Sequence, residues 1–218
     1  MDEILDEIAK LALVPVIEIS ESALAVPLAD ALVEGGLPCA EITFRTAAAA
    51  DAMEAISRAR PNVLLGAGTV LLTRQVDAAL HAGARFIVSP GLDPKVVAYC
   101  QERSVVVLPG VVTPTEVQMA LALGLGAAKF FPAEAAGGAG YLKALCAPFR
   151  DFRFLPTGGI DVANAAKYLA LSQVIAVGAS WMAPKEMLSA RNFELIARRV
   201  REIADLVRNL RPEVGTSV

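Results

Sequence analysis

Two periodicities take turns along the chain. Short runs enriched in Val, Ile, Leu and Phe, at residues 15–19, 40–44, 63–66, 86–89, 105–108, 128–131, 152–155 and 174–177, read as buried strands. Between them apolar residues fall at helical spacing over 22–34, 47–58, 73–82, 94–102, 114–123, 140–146 and 162–169, with a last long stretch over 184–210. Residues 1–12 open on Met-Asp-Glu-Ile-Leu-Asp-Glu-Ile and predict an amphipathic N-terminal helix. Strict alternation of strand and helix requires parallel strands joined by crossover helices. Eight such strands in 218 residues point to an α/β fold closed as a single (β/α)8 TIM barrel, one domain over residues 1–218 with 211–218 as a flexible tail. An open doubly wound sheet has the same local pattern and is the alternative.

Composition sharpens this picture. Hydrophobic residues make up 55% of the chain but aromatics only 6%, so the core must be built from Ala, Val, Leu and Ile packed between sheet and helices. The 20 basic and 23 acidic residues leave a formal charge of -3, with no run of Lys or Arg, which excludes a nucleic-acid partner and means that an anionic ligand must be held by local groups. The apolar stretch 119–128 is interrupted by Gly124 and Gly126 and stops at Lys129, too short to cross a bilayer, and the acidic N terminus lacks the basic region of a signal peptide. A soluble, cytoplasmic protein with no membrane partner is expected. Cys39, Cys100 and Cys146 are scattered, without Cys-x-x-Cys spacing, which argues against a disulfide framework or a zinc site. His81, the single histidine, falls at a helix end, where a cationic side chain suits the helix dipole. A single histidine argues against both a His-rich metal site and a Ser-His-Asp triad, and no metal or cofactor is expected.

In a barrel, side chains alternate between the filled interior and the helix-facing exterior, so a charged residue of interior parity needs a reason. In the second strand Ile42 and Phe44 share one face while Glu41, Thr43 and Arg45 share the other. In the sixth, Phe130 goes outward and Lys129 shares parity with Ala127 and Phe131. Burial among apolar neighbours disfavours the charged form of an amine and raises the nucleophilic fraction, which is how a Schiff-base lysine is prepared. The competing reading is structural: Lys129 neutralising Glu41 or Glu134, and Glu41 with Arg45 as an ion pair. The Pro156-Thr157-Gly158-Gly159-Ile160 loop after strand seven and Gly178-Ala179-Ser180 after strand eight are placed where barrels bind phosphate, although tight turns also use glycine. Asp161 is positioned to cap the helix that follows, and Thr69 and Pro90, at the ends of strands three and four, read as pocket wall.

With these residues in hand, the chain resembles the 2-keto-3-deoxy-6-phosphogluconate (KDPG) aldolase family, which includes 4-hydroxy-2-oxoglutarate aldolases. The resemblance is carried, in family order over residues 14–181, by Val14-Pro15-Val16-Ile17, Glu41-Ile42-Thr43-Phe44-Arg45-Thr46, Gly66-Ala67-Gly68-Thr69-Val70, Ser89-Pro90-Gly91-Leu92, Leu108-Pro109-Gly110, Lys129-Phe130-Phe131-Pro132-Ala133-Glu134 and Pro156-Thr157-Gly158-Gly159-Ile160. It implies a metal-independent class I aldolase of the Entner-Doudoroff pathway, a homotrimer of TIM barrels acting on a keto-acid sugar phosphate. It also implies roles: Lys129 as the Schiff-base lysine, Glu41 as the acid/base carboxylate, and Arg45 as the ligand of the pyruvyl carboxylate. Thr69, Pro90 and Phe131 would line the keto-acid pocket, Thr157 would lie near the substrate hydroxyls, and Gly158, Gly159 and Ser180 would hold the phosphate.

The chain departs from the family pattern at Glu18, which has inward parity on strand one, and at the glycine-rich Gly137-Gly138-Ala139-Gly140. Three functions remain to be separated: cleavage of 2-dehydro-3-deoxy-6-phosphogluconate, cleavage of 4-hydroxy-2-oxoglutarate or the phosphogalactonate isomer, and binding of a sugar phosphate without catalysis.

Overall fold

A computed structural model describes residues 2–210. The tail expected at 211–218 lies outside them. In chain order the elements are α1 (Asp2–Leu11), β1 (Leu13–Ile17), a 3-10 turn (Ser22–Leu24), α2 (Ala25–Glu34), β2 (Cys39–Thr43), α3 (Ala49–Ala59), β3 (Leu64–Gly68), α4 (Thr73–His81), β4 (Phe86–Val88) and α5 (Pro94–Glu102). Then follow β5 (Val106–Leu108), β6 (Gly110–Val111), α6 (Pro114–Ala122), β7 (Ala127–Phe130), α7 (Gly138–Cys146), β8 (Arg153–Pro156), α8 (Ala165–Leu169), β9 (Val177–Ala179), α9 (Lys185–Ser189) and α10 (Phe193–Leu210).

Every strand pair is parallel, as the alternation requires. The continuous eight-stranded ladder does not appear, however. The strands form a six-stranded sheet in the order β5-β4-β3-β2-β1-β9 and a three-stranded sheet in the order β6-β7-β8. The first break falls just past the strand expected at 105–108: β5 pairs with β4, and beyond Pro109, which has no N–H to give to a ladder, an additional short strand, β6, pairs with β7. The Pro109 carbonyl still accepts a hydrogen bond from the Lys129 amide at 2.9 Å. The second break is between β8 and β9, which are linked by single bridges, Phe154 to Val174 and Thr157 to Gly178.

Alternation along the strands creates two cores. Ile17, Ile42, Leu65, Ile87, Val107, Phe130 and Phe154 point to the helices, where they meet Leu28, Leu32, Met53 and Ile56. Their neighbours Val14, Cys39, Leu64, Phe86, Val106, Ala127 and Leu155 form the second cluster, enclosed by the strands. Leu5 and Ile8 of α1 join this inner cluster. Most of its strand residues lie at strand starts, so α1 floors the interior at that end.

Helix boundaries follow local chemistry. Pro94 and Pro114 occupy the first turns of α5 and α6, where a missing N–H costs nothing, behind the caps Asp93 and Thr113. Thr113 and Glu116 complete a reciprocal capping box. The helix expected from residue 162 starts at Ala165, because Asp161 and Asn164 first close a turn: Ala163 N donates to Asp161 Oδ1 and Asp161 N to Asn164 Oδ1. The final stretch divides into α9 and α10 near Arg191, which has φ 53.

The floor is testable. Ile8 is fully buried, so Ile8→Ala should cost about 2–5 kcal/mol through lost burial and an unfilled cavity. Urea unfolding should show this as a lowered midpoint with little change in slope.

Candidate active site

The polar residues of inward parity converge above the inner core, near the ends of the strands. Lys129 is on β7, only 5% exposed, with Ala127 below it in the enclosed cluster. Its Nζ donates to Glu41 Oε1 at 3.4 Å and lies 5.1 Å from the centroid of the Phe131 ring. Glu41, on β2, is fully buried, and its second oxygen, Oε2, has no hydrogen-bond partner. A buried carboxylate oxygen without a donor is costly. Of the two carboxylates that the sequence offered as partners, the structure pairs Lys129 with Glu41. Glu134 instead accepts a hydrogen bond from the Tyr168 hydroxyl.

Glu41 keeps its position because β3 leaves room for it. A Cβ at Gly68 would sit 2.7 Å from Glu41 Cγ and closer still to its carboxylate. Beside Glu41 on the same strand, Thr43 Oγ1 donates to the Ile17 carbonyl at 2.9 Å, tying β2 to β1.

Above this pair opens a cavity of about 630 Å³. Arg45, Thr69, Pro90, Phe131, Thr157, Gly158, Gly159 and Ser180 all line it together with Lys129. Glu41 lies beneath as the partner of Lys129. Arg45 leans across the mouth: its Nε donates to Thr69 Oγ1 and its Nη1 to Glu18 Oε2, each at 3.4 Å. Thr69 holds a left-handed backbone, φ 57, unusual for a β-branched residue and a sign that its surroundings over-determine it.

The opposite wall is the loop after β8. Ala133 N donates to the Thr157 carbonyl at 2.8 Å and Glu134 N to the Gly158 carbonyl at 3.0 Å, so the segment after β7 holds this loop by its backbone. Gly158 and Gly159 have φ 105 and 76, and a Cβ on Gly159 would meet Glu134 Cβ at 2.8 Å. Only glycine fits such positions without strain. Val16, Asp161 and Trp181 also line the cavity and were not singled out beforehand. Val16 carried a signal in its parity with Val14; Asp161 was read only as a cap, and Trp181 had no marker beyond its place next to Ser180.

These features define an α/β protein with a buried amine-carboxylate pair at the base of a cavity lined by both polar and apolar groups, equipment for reactions at a carbonyl carbon. The chain belongs to the KDPG and KHG aldolase family, whose profile matches residues 4–199. It is 43% identical over 206 residues to a 2-dehydro-3-deoxy-phosphogluconate aldolase of Haemophilus influenzae, covering 94% of this chain and 97% of that one. Among solved structures, it superposes on the KDPG aldolase of Legionella pneumophila with TM-score 0.88 and 38% identity, over 91% of this chain and 97% of that one. That crystal structure holds pyruvate captured at low pH as a covalent carbinolamine intermediate. The 2-keto-3-deoxy-6-phosphogluconate aldolase of Zymomonas mobilis, with 3-phosphoglycerate, gives TM-score 0.86 and 39% identity over 92% of this chain and 94% of that one.

Two outcomes test this geometry. Gly68→Ala should destabilise the protein by about 1–3 kcal/mol, the usual cost of overpacking, read from urea unfolding. The second concerns Tyr168, whose phenol is pushed well above the ordinary tyrosine range by burial, by its hydrogen bond to Glu134 and by the Glu134 charge. Its neutral form is favoured in the folded state, so stability present below about pH 10, the ordinary tyrosine value, is lost as pH rises past it. Tyr168→Phe should lower stability at neutral pH and make the alkaline decline shallower. Equal alkaline slopes for the two proteins would rule this out.

Proposed function

We propose that this protein is a class I aldolase that cleaves 2-dehydro-3-deoxy-6-phosphogluconate to pyruvate and glyceraldehyde 3-phosphate, the aldolase step of the Entner-Doudoroff pathway. The observation that carries the reading is the buried Lys129 amine 3.4 Å from the Glu41 carboxylate at the base of the cavity. Support comes from the relatives' names, from the covalent pyruvate carbinolamine in the Legionella enzyme and from the phosphoglycerate in the Zymomonas enzyme.

In this reading Lys129 passes a proton to Glu41, and its free amine attacks C2 of the keto acid to give a carbinolamine. Glu41 returns the proton to the C2 hydroxyl, which leaves as water, and an iminium forms. Glu41, again a carboxylate, accepts the proton of the C4 hydroxyl as the C3–C4 bond breaks. The electron pair of that bond moves into the iminium and leaves an enamine, while C4 departs as the aldehyde carbon. Protonation of C3 and addition of water to the restored iminium release pyruvate and regenerate the amine.

Arg45 suits the substrate carboxylate because its planar fork binds bidentately, and Thr69 supplies a hydroxyl beside it. Pro90 and Phe131 wall the keto-acid end, and Thr157 faces the substrate hydroxyls. Gly158, Gly159 and Ser180 offer backbone amides and a hydroxyl for the phosphate.

The same proposal includes a single domain in which β5 and β6 act as one staggered strand and the β8–β9 bridges close an eight-stranded barrel. A homotrimer follows the family resemblance. A cytoplasmic location is supported by three free, buried cysteines.

Borohydride reduction in the presence of pyruvate should trap an adduct that peptide mapping assigns to Lys129. Lys129→Met, in folded protein, should abolish trapping and lower kcat on the order of 10^4-fold or more, as loss of a covalent nucleophile does. Trapping elsewhere, or undiminished turnover, would overturn the reading. Comparison of kcat/KM for the phosphorylated substrate and for 4-hydroxy-2-oxoglutarate decides between the two substrates named in the family. No gain from the phosphate would remove the assignment of Gly158, Gly159 and Ser180.

A further inference from the structure

Glu18 continues the inward parity of β1 past the strand's end, after Val14 in the enclosed core and Val16 in the cavity wall. Its carboxylate stands between two cations, with Oε2 3.4 Å from Arg45 Nη1 and Oε1 3.8 Å from Lys185 Nζ. Both separations exceed the roughly 2.7–2.9 Å of a strong charge-assisted hydrogen bond. All three side chains also face solvent, so either pair can be exchanged at low cost. Space for that exchange is present: Glu18, Arg45 and Lys185 wall a second chamber of about 270 Å³ that shares Val16, Arg45, Ser180 and Trp181 with the main cavity.

A carboxylate so close to Arg45 offsets part of the positive charge that an incoming carboxylate would meet. We propose that Glu18 is an affinity-setting counter-ion: it occupies Arg45 before substrate binds, and gives Arg45 up to the carboxylate of a 2-oxo acid by moving onto Lys185. This rests on the reading of Arg45 as the ligand of the substrate carboxylate. In this arrangement Lys185 lowers the cost of substrate binding without touching substrate, because it receives the displaced group. Glu18 raises that cost for any carboxylate that binds at Arg45, so it sets the concentration at which the site fills.

The experiment titrates pyruvate against the yield of borohydride-trapped adduct, at fixed ionic strength, for the native chain, Glu18→Gln, Lys185→Ala and the double variant. Glu18→Gln should lower the half-saturating pyruvate concentration about 3- to 10-fold, the order expected from removing one partly screened charge. Lys185→Ala alone should raise it about 2- to 5-fold, because Glu18 then has no second partner. In the Glu18→Gln background, Lys185→Ala should have no further effect. An unchanged half-saturation in Glu18→Gln would overturn the proposal. A Lys185→Ala effect of equal size in both backgrounds would overturn the transfer, since it would show Lys185 attracting pyruvate directly. Absence of any adduct with the native chain is a different failure: it would remove the aldolase reading itself, and this inference with it.

Discussion

A lysine and a glutamate that water barely reaches must be brought within a few ångströms of each other, and most of the architecture meets that demand. Taking two such charges out of water costs several kcal/mol each, and their attraction repays it only when geometry is held firmly. Lys129 and Glu41 are 88 residues apart and belong to different sheets, β7 in the three-stranded one and β2 in the six-stranded one. Their contact therefore depends on how the two sheets face each other across the inner core. The glycine at 68 and the anchoring of Thr43 to Ile17 are local conditions for the same contact. One glutamate oxygen stays unsatisfied, so part of the cost is left unbalanced at the point where proton transfer is proposed.

Around this pair the walls are made rigid in different ways. On one side, Thr69 is held in a left-handed conformation that keeps its hydroxyl beside Arg45. On the other, the Thr157-Gly158-Gly159 backbone hangs on the amides of Ala133 and Glu134, and Glu134 is held in turn by the buried Tyr168. The segment that carries the lysine thus also positions the opposite wall. Arg45 and Glu18 differ: their contacts are long and solvent-facing, which suits the exchange proposed for them.

Much of this was legible in the chain because strands obey a period of two. That period placed Lys129 with Ala127, Glu41 with Arg45, and Glu18 inward, and the structure keeps all three alignments. Proline at the start of a helix was an equally direct signal, as Pro94 and Pro114 show. Where the outcome depended on contacts between distant segments, the sequence was silent. It could not choose between Glu41 and Glu134 as the partner of Lys129, because the turn after Phe131 breaks the alternation that parity arguments use. Nor did it show that a further short strand, β6, would follow Pro109, or that Asp161 and Asn164 would use their hydrogen bonds on a turn before α8.

The helix that floors the inner core has a kinetic consequence. With Leu5 and Ile8 sealing the end where the strands begin, a ligand enters and leaves through the opposite mouth. In the proposed reaction, the three-carbon fragment bonded to Lys129 would lie behind the aldehyde fragment. The two products then queue in a single passage, aldehyde first and pyruvate last. In the condensation direction the order reverses, and the keto acid must be seated before its partner arrives.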